Sequence, residues 1–204
     1  MTSAAHPLRP ERGDELTELV AASPWFVRVL EAAADVAAPN CWVGAGVVRD
    51  LVWDTRFGDG FHPDHVKDVD VVFFDPTDLR PERDQEIEEA LVRRDGRVPW
   101  EAKNQAAVHT WYARRFGIEV EPLSSSLDAI ATWPEFATAV GVRLDRVGRV
   151  EVAAPYGLDD LLDGVLRRNP RRVTLEEYRR RLERKQPHLR WPRLRAIVDE
   201  PDAS

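Results

Sequence analysis

Lys67-Asp68-Val69-Asp70-Val71-Val72-Phe73-Phe74 is the stretch that decides how this chain folds. β-branched and aromatic residues favour an extended backbone, so the run from Val69 onward reads as a strand. Side chains alternate along a strand. Asp68 and Asp70 therefore share a face, about 7 Å apart at Cα, while Val69, Val71 and Phe73 point the other way. From position 71 both faces are apolar, which predicts a strand covered on both sides. Ionised carboxylates at its mouth are costly unless a cation or hydrogen-bond donors compensate them. The plainer reading is two aspartates that end a turn in water.

The segment about twenty-five residues upstream argues against the plain reading. Cys41-Trp42-Val43-Gly44-Ala45-Gly46-Val47-Val48-Arg49-Asp50-Leu51-Val52-Trp53 predicts a strand over 41–44, a small-residue turn and a helix over 46–54. The first free N–H groups of that helix and its positive dipole end face whatever lies beside the turn. Small side chains at Gly44, Ala45 and Gly46 let a phosphate approach the backbone. Arg49, one turn into the helix, is a phosphate-ligand candidate, with a salt bridge to Asp50 or Asp54 as its plain alternative.

A third segment supplies a further acid. Arg97 to Lys103 reads as a strand with Trp100 and Ala102 on one face and Glu101 and Lys103 on the other. Glu101 is the candidate third carboxylate and Lys103 a phosphate contact. The rivals are Glu119 and Glu121 in Ile118-Glu119-Val120-Glu121, whose plain reading is the solvent face of an edge strand. Asn104 is placed to cap the next helix and joins the phosphate-binding candidates.

Together these segments resemble the polymerase beta-like nucleotidyltransferase superfamily: a strand, a small-residue turn and helix, then an Asp-x-Asp strand. Val43 to Leu51 followed by Lys67 to Val72 looks like the head-domain motifs of the CCA-adding tRNA enzymes. Here Gly44-Ala45-Gly46 departs from the paired glycines, so either Ala45 replaces the first of them or one residue is inserted. Val52-Trp53-Asp54, Trp100-Glu101-Ala102-Lys103-Asn104-Gln105-Ala106 and Ala154 to Leu161 also resemble a bacterial family of nucleotidyltransferase-like proteins, over roughly residues 15–195. The resemblance implies a small mixed α/β (α+β) sheet flanked by helices, with helical extensions at both ends. It implies transfer of a nucleoside monophosphate from a triphosphate to a hydroxyl or similar acceptor, with release of pyrophosphate. Asp68, Asp70 and Glu101 would hold two Mg²⁺, with Mn²⁺ the alternative ion. A small molecule, a protein side chain and RNA all remain open as acceptor. The alternative is a nucleotide-sensing or interaction module on the same fold that binds without turnover.

Composition points the same way. Of 29 basic residues only Lys67, Lys103 and Lys185 are lysines, and two of these three sit in the motifs. In so Arg-biased a chain, lysine beside Asp68 and beside Glu101 points to a need for a compact ammonium there. The net charge of −7 conceals an asymmetry. Residues 166–195 carry 12 Lys and Arg against Glu176, Glu177 and Glu183, a balance of +9 that leaves −16 elsewhere. Such a flank could follow a nucleic-acid backbone, bind triphosphate and pyrophosphate, or pair with the acidic body.

No apolar run approaches the roughly 18 residues of a membrane span. Residues 1–13 lack an apolar signal core, and the single Cys41 excludes an intrachain disulfide, which together predict a reducing cytoplasm. Residues 1–13 read as a flexible tail, 14–195 as one domain and 196–204 as an acidic tail. Periodicity predicts helices from Asp14 to Ala22, from Pro24 to Val36, over 81–94, from Asn104 to Arg115, over 125–133, over 157–168 and over 174–185. Ala137 to Leu144 and Val150 to Ala153 predict a hairpin around Asp145 to Arg149. His62 and His65 lack cysteine partners and are weak zinc candidates, and His109 is a weak candidate for a base or phosphate contact.

Overall fold

The computed structural model describes residues 8–171 and 173–198. The first helix, α1 (Pro10–Ala21), starts four residues before the predicted Asp14. Pro10 occupies its first turn, where a fixed φ suits the helix and the missing N–H costs nothing. Residues 10–13 of the predicted tail are therefore helical. Residues 1–7 and 199–204 lie outside the described residues. Ser23 caps α2 (Pro24–Val36), its hydroxyl accepting from the Phe26 N–H at 3.3 Å.

Five strands follow with helices between them: β1 (Trp42–Gly44), α3 (Gly46–Phe57), β2 (Val69–Phe73), α4 (Glu82–Arg94), β3 (Trp100–Asn104), α5 (Val108–Phe116), α6 (Ser126–Ile130), β4 (Gly141–Leu144) and β5 (Val150–Ala153). They form one mixed sheet in the order β3-β2-β1-β4-β5, in which only β2 and β3 run parallel. The predicted hairpin is β4–β5, with Asp145 accepting the Val147 and Arg149 N–H groups in the turn, although Ala137 to Val140 are buried loop and not strand. Residues 118–121 form no strand.

The period-2 pattern of β2 separates the two faces of the sheet. Val69, Val71 and Phe73 are fully buried in the main core with Phe26, Leu30, Val48, Leu51 and Leu91 from α2, α3 and α4. Burial of such side chains contributes about 2 kcal/mol each. Val72 points to the opposite face and packs with Trp42, Ile130 and Trp133. Edge strand β3 is covered by α4, whose Glu88 and Asp84 accept the Ala102 and Asn104 N–H groups at 3.3 and 2.6 Å. That removes donors an edge strand would otherwise offer to another chain.

The C-terminal third departs most from the sequence reading. The helix predicted over 157–168 is only α7 (Asp159–Leu162), followed by strand β6 (Val165–Arg167). Gly164 stands between them at φ +68°, and a Cβ there would meet the Phe57 ring at 2.9 Å. The chain must turn where only glycine fits. Helices α8 (Leu175–Lys185) and α9 (Pro187–Arg190) lead to β7 (Arg195–Ile197), which pairs in parallel with β6 and takes up the start of the predicted acidic tail. Among the described residues no helix is long and apolar enough to cross a membrane.

Candidate active site

A cavity of about 730 Å³ opens at the end of the sheet where β1 turns into α3. Its floor is built by strand register. Asp70 of β2 lies beside Glu101 of the parallel neighbour β3 and opposite Gly44 of β1. Adjacent strands lie about 4.8 Å apart, so Asp70 and Glu101 are neighbours on one face. Asp68, one residue before β2, also lines the cavity. Burial pushes the Asp70 carboxyl up to about 6, and repulsion from Asp68 and Glu101 adds to the rise. A hydrogen bond from the Gly46 N–H and the charge of Lys185 oppose it. Glu119 and Glu121 line a different cavity beside Tyr112 and Arg171, away from these acids.

The turn into α3 forms the wall beside them. Ala45, at φ 56° and ψ −123°, holds a conformation suited to glycine and costly for an L side chain. β1 ends at Gly44, Ala45 caps and Gly46 opens the helix. Ala45 and Gly46 line the cavity, whereas Gly44 is buried in the strand. A Cβ on Gly44 would come within 2.5 Å of the Trp133 ring, so glycine there seats the tryptophan that lines the cavity.

Several candidate phosphate contacts have protein partners. Arg49 lines the cavity but donates to Asp50 at 2.6 and 2.9 Å and lies near the rings of Trp53 and Trp191. Lys103 pairs with Asp84 at 2.9 Å. Lys67 is exposed on the cavity wall. Asn104 does not reach the cavity. It is buried, its oxygen accepts from the Asp75 and Ala106 N–H groups, and its amide donates to the Asp75 and Asp78 carbonyls, so its hydrogen-bonding capacity is used in shaping the loop after β2. His109 does not line the cavity, and His62 and His65 pack ring against ring at 5.4 Å.

The sequence marked the basic flank of residues 166–195 but not which of its side chains reach the acids. Arg181, Arg184 and Lys185 of α8, with Arg190 of α9, line the cavity together with the acids, as do Trp111 and Arg115 of α5. All three lysines of the chain thus line this one cavity, and the scarcity of lysine was the available signal. The basic flank also pairs with the acidic body. Arg181 donates to buried Glu135 at 2.7 Å, and Arg190 bridges Asp50 and Asp54 on α3. Pro134 and Trp133 are held from behind by Asn169, which donates to the Ala131 and Trp133 carbonyls at 2.8 Å. Tyr156 also donates to the Ala131 carbonyl, at 2.7 Å, while stacking on Phe136.

The sequence profile of a family described as nucleotidyltransferase matches residues 31–196. The chain belongs to the nucleotidyltransferase family. Among solved structures, this family member is similar to a protein whose NMR structure reveals a CCA-adding enzyme head domain, at 32% identity and a TM-score of 0.75, covering 90% of this chain and 95% of that one. The fold also matches the Thermotoga maritima CCA-adding enzyme complexed with tRNA, at 15% identity and a TM-score of 0.56, and a CCA-adding enzyme in complex with CTP, at 15% and 0.50. The chain spans 42% and 43% of the lengths of those two enzymes. A comparison with curated proteins gives no match.

Proposed function

We propose that this nucleotidyltransferase moves a nucleoside monophosphate from a nucleoside triphosphate to a hydroxyl-bearing acceptor and releases pyrophosphate. One observation carries the reading: Asp68, Asp70 and Glu101 line one cavity, close enough for the other two to raise Asp70, with lysines and arginines on the surrounding walls.

The donor set suits Mg²⁺ or Mn²⁺. Three hard carboxylates that repel one another would be relieved by a cation. Among the described residues no three acidic, histidine or cysteine side chains close a metal cage by themselves. Mg²⁺ does not demand one, since it commonly takes one or two carboxylates and completes its shell with substrate phosphates and water. Asp68, Asp70 and Glu101 would hold the ions. When bound, a pair of them would supply charge stabilisation at both the attacking and the leaving oxygen of the displacement.

The chain's own residues do the rest. Ala45 and Gly46 line the cavity at the start of α3, where the small-residue turn lets a phosphate approach the helix N-terminus. Lys67 and Lys103 offset phosphate charge from the acid-bearing side. Glu101, exposed on β3, is available to orient the acceptor hydroxyl and accept its proton.

The acceptor is a small molecule, a protein side chain or RNA. The tRNA bound by the larger Thermotoga enzyme favours RNA. A second reading, nucleotide binding without turnover, draws on the Lys103–Asp84 and Arg49–Asp50 pairs, which engage two of the cations expected at phosphate. Incubation with each α-labelled nucleoside triphosphate, Mg²⁺ and pools of each acceptor class tests the proposal. Label transfer and pyrophosphate release by wild type and not by Asp70→Asn support it. Mg²⁺-dependent triphosphate binding without release across all pools favours the second reading.

A further inference from the structure

We propose that Arg184 and Lys185, on the cavity side of α8, receive the pyrophosphate portion of the nucleoside triphosphate, with Arg181 fixed beside them. The assignment rests on the transfer reading and gives the cavity a direction.

Positions 181, 184 and 185 fall on one helical face, and all three side chains line the cavity that holds Asp68 and Asp70. Arg181 is locked by buried Glu135, which is only 3% exposed. Arg184 and Lys185 make no ion pair among the described residues. Lys185 is crowded by Arg181 and Arg49, and their charges add to desolvation in pushing its ammonium down. It also feels Asp68, and Asp70 feels it in turn, so the ammonium stands within electrostatic reach of those carboxylates. Crowded cations that make no ion pair among the described residues, with Glu135 and Asp68 only partly offsetting their charge, favour a multiply charged anion. A base or ribose carries no such charge, whereas the β- and γ-phosphates do.

The helix is held firmly enough to act as a clamp. Thr174 and Glu177 form a capping box at its start, and Tyr178 is fully buried. Beyond its end, Arg190 is tied to α3. In the transfer, a lone pair of the acceptor oxygen forms a bond to the α-phosphorus. The bond from that phosphorus to the bridging oxygen breaks, its electron pair stays on the β-phosphate, and the acceptor proton passes to Glu101 or water. Charge therefore grows on pyrophosphate, where Arg184 and Lys185 offset it. In-line geometry puts the acceptor on the side of the α-phosphorus away from the pyrophosphate, and Glu101, Lys103 and Trp111, which line the same cavity, are the residues available to meet it.

Calorimetric titration with Mg²⁺ and inorganic pyrophosphate, and with each nucleoside triphosphate and monophosphate, tests the assignment. Lys185→Gln and Arg184→Gln should each weaken pyrophosphate and triphosphate binding roughly tenfold and leave monophosphate binding within about twofold of wild type. Arg180→Gln, on the same helix but paired with Glu176 away from the cavity, should change neither. Triphosphate binding by wild type with equal affinity in both variants overturns this assignment alone. Equal weakening by Arg180→Gln also overturns it, as a general charge effect. Failure of wild type to bind any triphosphate overturns both this assignment and the transfer reading.

Discussion

Arg190 grips Asp54 with two parallel hydrogen bonds, Nε to Oδ1 at 3.1 Å and Nη2 to Oδ2 at 2.6 Å, and so ties the C-terminal segment to the helix that follows the small-residue turn. Its Nη1 reaches Asp50 at 3.0 Å, and the Trp191 indole donates to Asp54 at 2.8 Å. Two buried carboxylates on α3 thus depend on one guanidinium for charge compensation from the C-terminal segment.

Arg190→Ala should destabilise the protein by about 3 kcal/mol, because buried Asp54 loses its guanidinium while Asp50 keeps Arg49. Arg190→Lys should recover little of the loss, since a single ammonium cannot span both carboxylates as the fork does. Urea denaturation of the three proteins measures both effects.

Ala45→Gly should stabilise the fold by about 1 kcal/mol. The φ of 56° is open to glycine, and relief of the strained L residue outweighs the extra freedom glycine brings to the unfolded chain. The readout is the urea midpoint, with transfer activity expected to stay within about twofold. Ala45→Val should be destabilising by a larger amount.

The pH dependence of stability should carry the mark of Asp70. Its carboxyl titrates near 6 when folded against an ordinary value of 3.8, so the folded state binds a proton more tightly than the unfolded chain. The sign follows: below pH 4 both states are protonated and no penalty applies, and as pH rises from 4 to 6 the penalty grows to about 3 kcal/mol and then stays. In chelator, Asp70→Asn should therefore raise the melting temperature at pH 7.5 and flatten the fall in stability between pH 4 and 6. The same variant should have lost transfer activity. Equal pH profiles for the two proteins would refute the assignment of the raised group.

Glu101→Gln should reduce transfer by about 100-fold or more, the range expected when a general base or ion-holding carboxylate is lost. Glu119→Gln and Glu121→Gln should leave it within about twofold. Single-turnover rates at saturating triphosphate separate the three. A large loss in either of the latter two, with Glu101→Gln active, would move the third carboxylate to the 118–121 segment.

Local rules account for what could be read in advance. The alternation in Val69 to Phe73, the Pro24 start of α2 and the turn at Asp145 to Arg149 each rest on neighbours in sequence. The same is true of Glu101 and Lys103 sharing a face on β3. The short C-terminal strands were not legible, because β6 and β7 each have only three residues and are defined by pairing with each other across some thirty positions. Asn104 caps as expected, its oxygen accepting from the Ala106 N–H, but its place among the phosphate contacts fails for a related reason. Its side chain looked available in sequence, but Asp75 and Asp78, which use it up, approach only through the fold.

The sequence by itself determined the pieces whose causes are short-range: a carboxylate pair on one face of a buried strand, a small-residue turn into a helix, and an acid and a lysine alternating on another strand. Backbone geometry and hydrophobic period suffice for these. Tertiary structure decided which pieces meet. Parallel pairing of β2 with β3 sets Glu101 beside Asp70, and the Glu135–Arg181 and Arg190–Asp54 contacts bring a remote basic helix over the acids. Those contacts depend on burial and charge compensation between groups 46 and 136 positions apart, which no local pattern encodes.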